Sequence, residues 1–230
     1  MEKIKTGIEG LDTLTNGGFV KNTINIVYGS PGVGKSIFSA QFLREGLIEG
    51  EKAFYFSLEQ DLDSFLMMAK SLGFKEFENE LNKNFIFTRM TGRDFKSFIS
   101  FDLPRIVSER ADKHARIVID PITPFLWQIP DKYDQREILS NVFDSIRKLG
   151  TAVITLERYG DVTKYSLDEE FAIPIYLSDT VIILALLQNQ DVYQTAISII
   201  KMRYSAHSQS LHPFEITDKG ISIFTEQPVF

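Results

Sequence analysis

The chain has 230 residues, of which 43% are hydrophobic and 24% charged, with no cysteine and a formal net charge of −6. That composition excludes a disordered or collagen-like chain, and the missing cysteines exclude a disulfide scaffold, a thiolate metal site and a cysteine nucleophile. The acidic balance excludes a generally basic surface for nucleic acid or anionic lipid.

The opening Met1–Gly7 lacks the apolar core of a signal peptide. The longest strongly apolar run, Val181–Leu187, is far shorter than the about 20 residues needed to cross a bilayer. A cytoplasmic chain without membrane contact is therefore expected. Ile24–Tyr28 reads as a strand and Lys35–Glu49 as a helix stopped by Gly50. Ala53–Leu58 is a second strand, and Asp61 caps a helix that runs to about Leu72 and closes at Gly73. Phe85–Thr88 is a third strand. Phe95–Asp112 is largely helical, with Pro104 as a candidate break. Arg116–Asp120 is a short buried strand, Gln135–Leu149 a helix ended by Gly150, and Thr151–Leu156 the next strand. The pattern then changes: Thr180–Leu187 and Val192–Met202 flank a polar turn, and His212–Thr217 and Ile221–Phe224 flank Asp218-Lys219-Gly220, giving two hairpins. The fold class is α/β, a mainly parallel sheet flanked by helices and extended by antiparallel hairpins. With no internal repeat and no linker, residues 1–230 are expected to form one domain.

Gly29-Ser30-Pro31-Gly32-Val33-Gly34-Lys35-Ser36 fits the P-loop (Walker A) pattern G-x-x-x-x-G-K-[ST] and lies between a strand and a helix. The glycines let backbone N–H groups turn inward as an anion nest at a helix N-terminus. Lys35 would reach the β- and γ-phosphates of ATP, and the Ser36 hydroxyl would hold Mg²⁺. Asp120, emerging from the C-terminal edge of a buried strand, is the candidate metal-side carboxylate. Glu59, at another strand's C-terminal edge beside Gln60, reads as a water-positioning carboxylate, the competing reading being a solvated turn residue.

These segments together resemble the RecA-superfamily branch that contains the cyanobacterial clock ATPase KaiC and its archaeal single-domain relatives, including RadA paralogues. The resemblance opens with Thr6–Leu14 and Gly17-Gly18-Phe19, which in the family form a turn packed before the P-loop strand. It continues through Gly29–Ser36, Phe56–Gln60, Val118-Ile119-Asp120 and Thr155–Arg158. It closes with Ser178–Leu184, Ile200–Arg203 and Pro213–Ile221. The resemblance implies a homo-oligomeric ring, usually a hexamer, with ATP and Mg²⁺ between subunits. It implies Glu59 as the first of a catalytic carboxylate pair, and Lys201 and Arg203 as cations aimed at a neighbour's γ-phosphate. Ser205 and His207 would be further cross-interface contacts, and Asp218 a residue near the adenine. Strand alternation likewise puts Lys201 and Arg203 on one face, where paired cations would neutralise transition-state charge.

Gln60 stands where many relatives have a second Glu, and Pro121 where many have Ser. Losing one carboxylate points to slow hydrolysis or an altered Mg²⁺ preference. Asn22 replaces a frequent Gly, a tolerable change at a positive-φ turn. Ile175 and Tyr176 occupy the positions of the clock protein's Ser-Thr phosphoacceptors, so autokinase activity on those acceptors is not expected. His114, His207 and His212 show no metal-ligand spacing. Phe125, Leu126 and Trp127 lie in an expected loop that in RecA relatives faces the ring channel, where aromatics stack on single-stranded nucleic acid; core packing is the alternative. The loop from Glu157 to Pro174 sets Glu157, Asp161, Asp168, Glu169 and Glu170 against Arg158 and Lys164, which disfavours a threaded polyanion. The expected function is thus a slow Mg²⁺-dependent ATPase that acts as a regulatory or signalling homo-oligomer with a protein partner. The alternatives are a DNA recombination or repair accessory and an ATP-sensing scaffold with negligible turnover.

Overall fold

Each central strand carries apolar residues on both faces, so each needs a helical layer on either side. In the computed structural model, which describes residues 1–90, 95–111, 114–158, 168–189 and 192–226, that is how the chain folds. A small antiparallel pair, β1 (Lys3–Ile4) and β2 (Phe19–Val20), brackets the short α1 (Leu11–Leu14). Then come β3 (Ile24–Gly29), α2 (Lys35–Ile48), β4 (Lys52–Ser57), α3 (Leu62–Ser71), α4 (Glu76–Asn79) and β5 (Phe85–Arg89). A helical stretch follows as α5 (Phe95–Ser97), a π-helical turn (Phe98–Asp102) and α6 (Leu103–Arg110). After it run β6 (Ala115–Asp120), α7 (Thr123–Trp127), α8 (Lys132–Leu149), β7 (Gly150–Glu157), a 3₁₀ turn (Glu169–Phe171) and α9 (Ala172–Leu177). The chain closes with β8 (Thr180–Asn189), β9 (Val192–Met202), β10 (His212–Thr217) and β11 (Gly220–Ile223).

The large sheet has nine strands in the order β11-β10-β9-β8-β3-β7-β6-β4-β5. From β8 to β5 every pairing is parallel, and from β8 to β11 every pairing is antiparallel. The P-loop strand β3 sits in the middle, and the hairpins extend the same sheet. Alternation divides the core: Val27, Tyr55, Val118 and Val153 pack with α2 and α3, whereas Ile26, Phe54, Ile119 and Ile154 pack with α6 to α8.

Several local expectations are refined. Pro104 does not break its helix; the π-helical turn just before it absorbs the missing N–H and places Pro104 in the first turn of α6. Helix α8 begins three residues earlier than periodicity indicated, because the Asp131 carboxylate caps the N–H groups of Tyr133 and Asp134. Asn22 does adopt φ 62°. The aromatic run is not a loop: Phe125 and Leu126 are buried on α7 in the core, and half-exposed Trp127 hydrogen-bonds Glu170 at 3.0 Å. Asp161 and Lys164 lie outside the described residues, and Asp168–Leu177 forms the 3₁₀ turn and α9 with its flanks.

Candidate active site

Parallel strands put their C-terminal ends on one edge, and four neighbours in the sheet, β3, β7, β6 and β4, each end there with a residue of chemical interest. β3 ends at Gly29, and the loop Ser30–Val33 leads to Gly34, which caps α2 with φ 105°. That φ is one that L side chains rarely adopt, and Ile216 of β10 stands 3.0 Å from where a Cβ would be. Lys35 and Ser36 follow in the first turn of α2. The buried Lys35 ammonium donates to the carbonyls of Gly29 (3.1 Å) and Ser30 (2.9 Å) and lies 3.5 Å from the Glu157 carboxylate. Burial depresses its pKa, opposed by the charges of Glu157, Asp120 and Glu59.

Asp120 ends β6 and is only 5% exposed. One of its oxygens accepts from the Tyr55 hydroxyl of β4, the other from the Thr155 hydroxyl of β7. Glu59 follows β4, faces solvent, and shares a small cleft of about 60 Å³ with Ser36, Gln60, Asp120, Pro121 and Glu157. Partial burial raises the Glu59 pKa, and the like charges of Glu157 and Asp120 raise it further. A second cleft of about 220 Å³ lies over Gly32, Gly34, Lys35, Ser36, Ile37 and Glu157. The candidates Lys35, Ser36, Asp120 and Glu59 are therefore brought together. To them the structure adds Glu157, Tyr55 and Thr155, to which the sequence reading gave no part in the site. Glu157 carries the signal that singled out Glu59, an acid at a strand's C-terminal edge, but it reads equally as loop charge.

The residue types suit Mg²⁺. The site offers hard oxygen donors, a serine hydroxyl and a buried carboxylate, and no clustered cage of three or more His, Asp or Glu ligands occurs among the described residues. Mg²⁺ takes one or two protein oxygens, keeps waters and relies on substrate phosphates for the rest.

Lys201 and Arg203 lie elsewhere. With Asp168, Glu169, Ala172, Ile175 and Tyr176 they line a separate cleft of about 510 Å³. A bulge where β9 passes Val181 and Ile182 interrupts the simple alternation, yet both cations still meet there. The Lys201 ammonium donates to the carbonyls of Ile175, Tyr176 and Ser178 at 2.6–2.9 Å, closing the C-terminus of α9. Arg203 donates to the Tyr176 carbonyl at 3.2 Å and lies 3.7 Å from Asp179. Tyr28 of the P-loop strand donates to Asp168, tying this cleft's acidic wall to β3. Ser205 lies in the loop after β9 and accepts from Lys3 at 2.6 Å. His207 lines a third cleft, of about 430 Å³, with Ser198 and Gln209. Asp218 is exposed in the β10–β11 turn. His114 and His212 hydrogen-bond Thr151 and Ser208.

A family model described as "ATPase: KaiC" matches residues 4–228. The "Circadian clock oscillator protein KaiC" of Synechococcus elongatus is 30% identical over an alignment of 236 positions that covers 96% of this chain and 44% of that protein. A UPF0273 protein of Methanopyrus kandleri is 31% identical over 244 residues, covering 99% of this chain and 94% of that protein. The crystal structure of a KaiC-like protein from Pyrococcus horikoshii matches with a TM-score of 0.80 at 27% identity, covering 97% of this chain and 99% of that one. The chain thus spans less than half the length of the clock protein and nearly all of the archaeal relatives. Among the described residues no helix is long and apolar enough to cross a membrane.

Proposed function

The chain belongs to the KaiC-like ATPase family of RecA fold, and on that premise we propose that residues 1–230 act as one ATPase domain that binds Mg²⁺–ATP and hydrolyses it slowly. The observation that carries this reading is the convergence of Lys35, Ser36, Asp120 and Glu59 at the ends of adjacent parallel strands. The backbone N–H groups of the P-loop cradle the phosphates, and Lys35 exchanges its loop carbonyls and Glu157 for phosphate oxygens. Ser36 and Asp120 would hold the Mg²⁺, which supplies charge neutralisation at the β- and γ-phosphates. Glu59 orients the water. The water oxygen bonds to the γ-phosphorus, the bond to the β–γ bridging oxygen breaks with its electron pair leaving on ADP, and the water gives up one proton to solvent as inorganic phosphate forms.

The reading includes a homo-oligomeric ring, hexameric by the family resemblance, in which Lys201 and Arg203 serve the neighbouring subunit's nucleotide. Their engagement in a cleft that shares no lining residue with the cleft over their own chain's Lys35 supports this. Such an assembly would report its ATP state to a protein partner. The recombination-accessory reading keeps only Trp127 of its aromatic platform, since Phe125 and Leu126 are core residues.

Glu59→Gln tests the chemistry. A water-orienting carboxylate acts in the transition state, so ATP affinity should hold within about two-fold while phosphate release falls roughly 10²–10⁴-fold. Turnover at the wild-type rate in protein that binds ATP normally would remove Glu59 from the reaction.

A further inference from the structure

We propose that Tyr55 is a positioning residue of the ATPase site, its one buried hydroxyl linking Gln60, Ser36 and Asp120 and thereby fixing the metal-side carboxylate; this rests on the reading of the site as a Mg²⁺–ATP site. The aromatic ring by itself has an ordinary structural role. It stacks on Phe87 (centroids 5.5 Å apart, planes at 11°) and tilts against Phe65 (4.6 Å) on one face of β4. A phenylalanine would fill that space. The oxygen is what requires an account, because a hydroxyl buried in an aromatic cluster is costly unless its hydrogen bonds are made.

They are made toward the site. The hydroxyl donates to Asp120 Oδ2, accepts from Gln60 Nε2 at 3.3 Å, and also interacts with the Ser36 side chain. One donor and two acceptor positions are the whole capacity of a phenol. Thr155 donates to the other Asp120 oxygen, so hydroxyls from the two flanking strands set the plane of the carboxylate. Both donors are neutral. They orient the carboxylate without cancelling its charge, which stays available to a cation directly or through water, as a lysine or arginine partner would not allow.

The same geometry gives Gln60 a purpose. Its backbone carbonyl is held by the Ser57 hydroxyl at 2.7 Å, which aims its amide at Tyr55. An amide N–H donated to the phenol oxygen strengthens the phenol's own donation to Asp120. A carboxylate at position 60 has no proton to give, and would compete with Asp120 for the phenol's single O–H.

The test separates nucleotide binding from metal dependence. A fluorescent ATP analogue is titrated into wild type, Tyr55→Phe and Gln60→Glu, first in EDTA and then over a Mg²⁺ series, with the melting temperature of each nucleotide-free protein measured alongside. Metal-free nucleotide affinity should stay within about two-fold, since the phosphate nest is intact. The Mg²⁺ concentration that half-restores tight binding should rise roughly ten- to hundred-fold in Tyr55→Phe, the range seen when a partner of a metal ligand is lost, and in the same direction in Gln60→Glu. An unchanged Mg²⁺ midpoint in Tyr55→Phe overturns the proposal. So does a loss of metal-free affinity that tracks a fall in melting temperature, which would mark a purely structural role. Wild-type protein that binds no ATP under any condition defeats the site reading itself; wild type that binds with a Mg²⁺ dependence Tyr55→Phe does not alter defeats only Tyr55's role.

Discussion

Lys201 has traded water for three main-chain carbonyls, and burial together with nearby Arg203 pushes its pKa down to about 8. Its charge is complete well below that value and is lost as pH rises through it. A neutral amine has only two N–H groups, so one carbonyl of Ile175, Tyr176 or Ser178 then loses its donor. If the cation serves a neighbour's phosphate, hydrolysis should decline on the alkaline side with a midpoint near 8. Lys201→Arg, whose guanidinium stays charged, should carry that limb upward by at least one pH unit, roughly the span over which lysine alone titrates. A pH–rate profile of the two proteins checks this; superimposable alkaline limbs would separate Lys201 from the rate. At this scale the sequence spoke clearly wherever position implied chemistry. The convergence of Lys35, Ser36, Glu59 and Asp120 was legible because strand-end and P-loop positions bring them to one edge of the sheet. Tyr55 was not, since an aromatic inside an apolar strand has the same signature as core, and only the fold reveals that its oxygen reaches Asp120.

Helix α2 carries the P-loop residues, and what holds it in place lies on its other turns. Gln41 clamps β11 in both directions, accepting from the Ile221 N–H at 2.7 Å and donating to the Ile221 carbonyl at 3.2 Å. About three turns from the P-loop, Gly46 lets the helix lie against Arg116, a guanidinium buried at the start of β6 that bonds Glu51 and the carbonyls of Lys5 and Phe42 and stacks over the Phe42 ring. A Cβ at Gly46 would come within 2.4 Å of Arg116 Cδ. Helix propensity alone predicts that Gly46→Ala stabilises by about 1 kcal/mol. With Arg116 tethered on every side, overpacking should win and cost about 1–3 kcal/mol. Denaturant unfolding decides by sign, and a raised midpoint would show that Arg116 gives way. The long elements were readable from periodicity and punctuation. β1 and β2, two residues each, are too short to show a period, and the bulge in β9 leaves the apolar pattern intact while shifting the register.

Across the whole molecule, the residues lining the Lys35 cleft and those lining the Lys201–Arg203 cleft are disjoint sets. Sequence order alone does not say this, because the first set belongs to the P-loop, the start of α2 and the strand ends beside them, the second to the 3₁₀ turn, α9 and the end of β9, and only folding sets their places. One chain therefore presents a phosphate cradle in one place and paired cations in another. A heterologous, head-to-tail contact that sets the second against the first, repeated until it closes, generates a ring. That geometry predicts complementation between two inactive proteins. Lys35→Ala loses the cradle, and Arg203→Ala loses the cation, for which an arginine finger gives a scale of roughly 10³–10⁵ in rate. Each alone should be nearly inert. When equal amounts are mixed under conditions that let subunits exchange, about a quarter of head-to-tail interfaces should pair an intact cradle with an intact Arg203, and activity should return toward that fraction of wild type. If cradle and cation served the same chain's nucleotide, no mixture could assemble a complete site. Labelled subunits would establish that exchange took place. An inert mixture with exchange demonstrated would place Arg203 outside the neighbour's site and remove the functional reason for the ring.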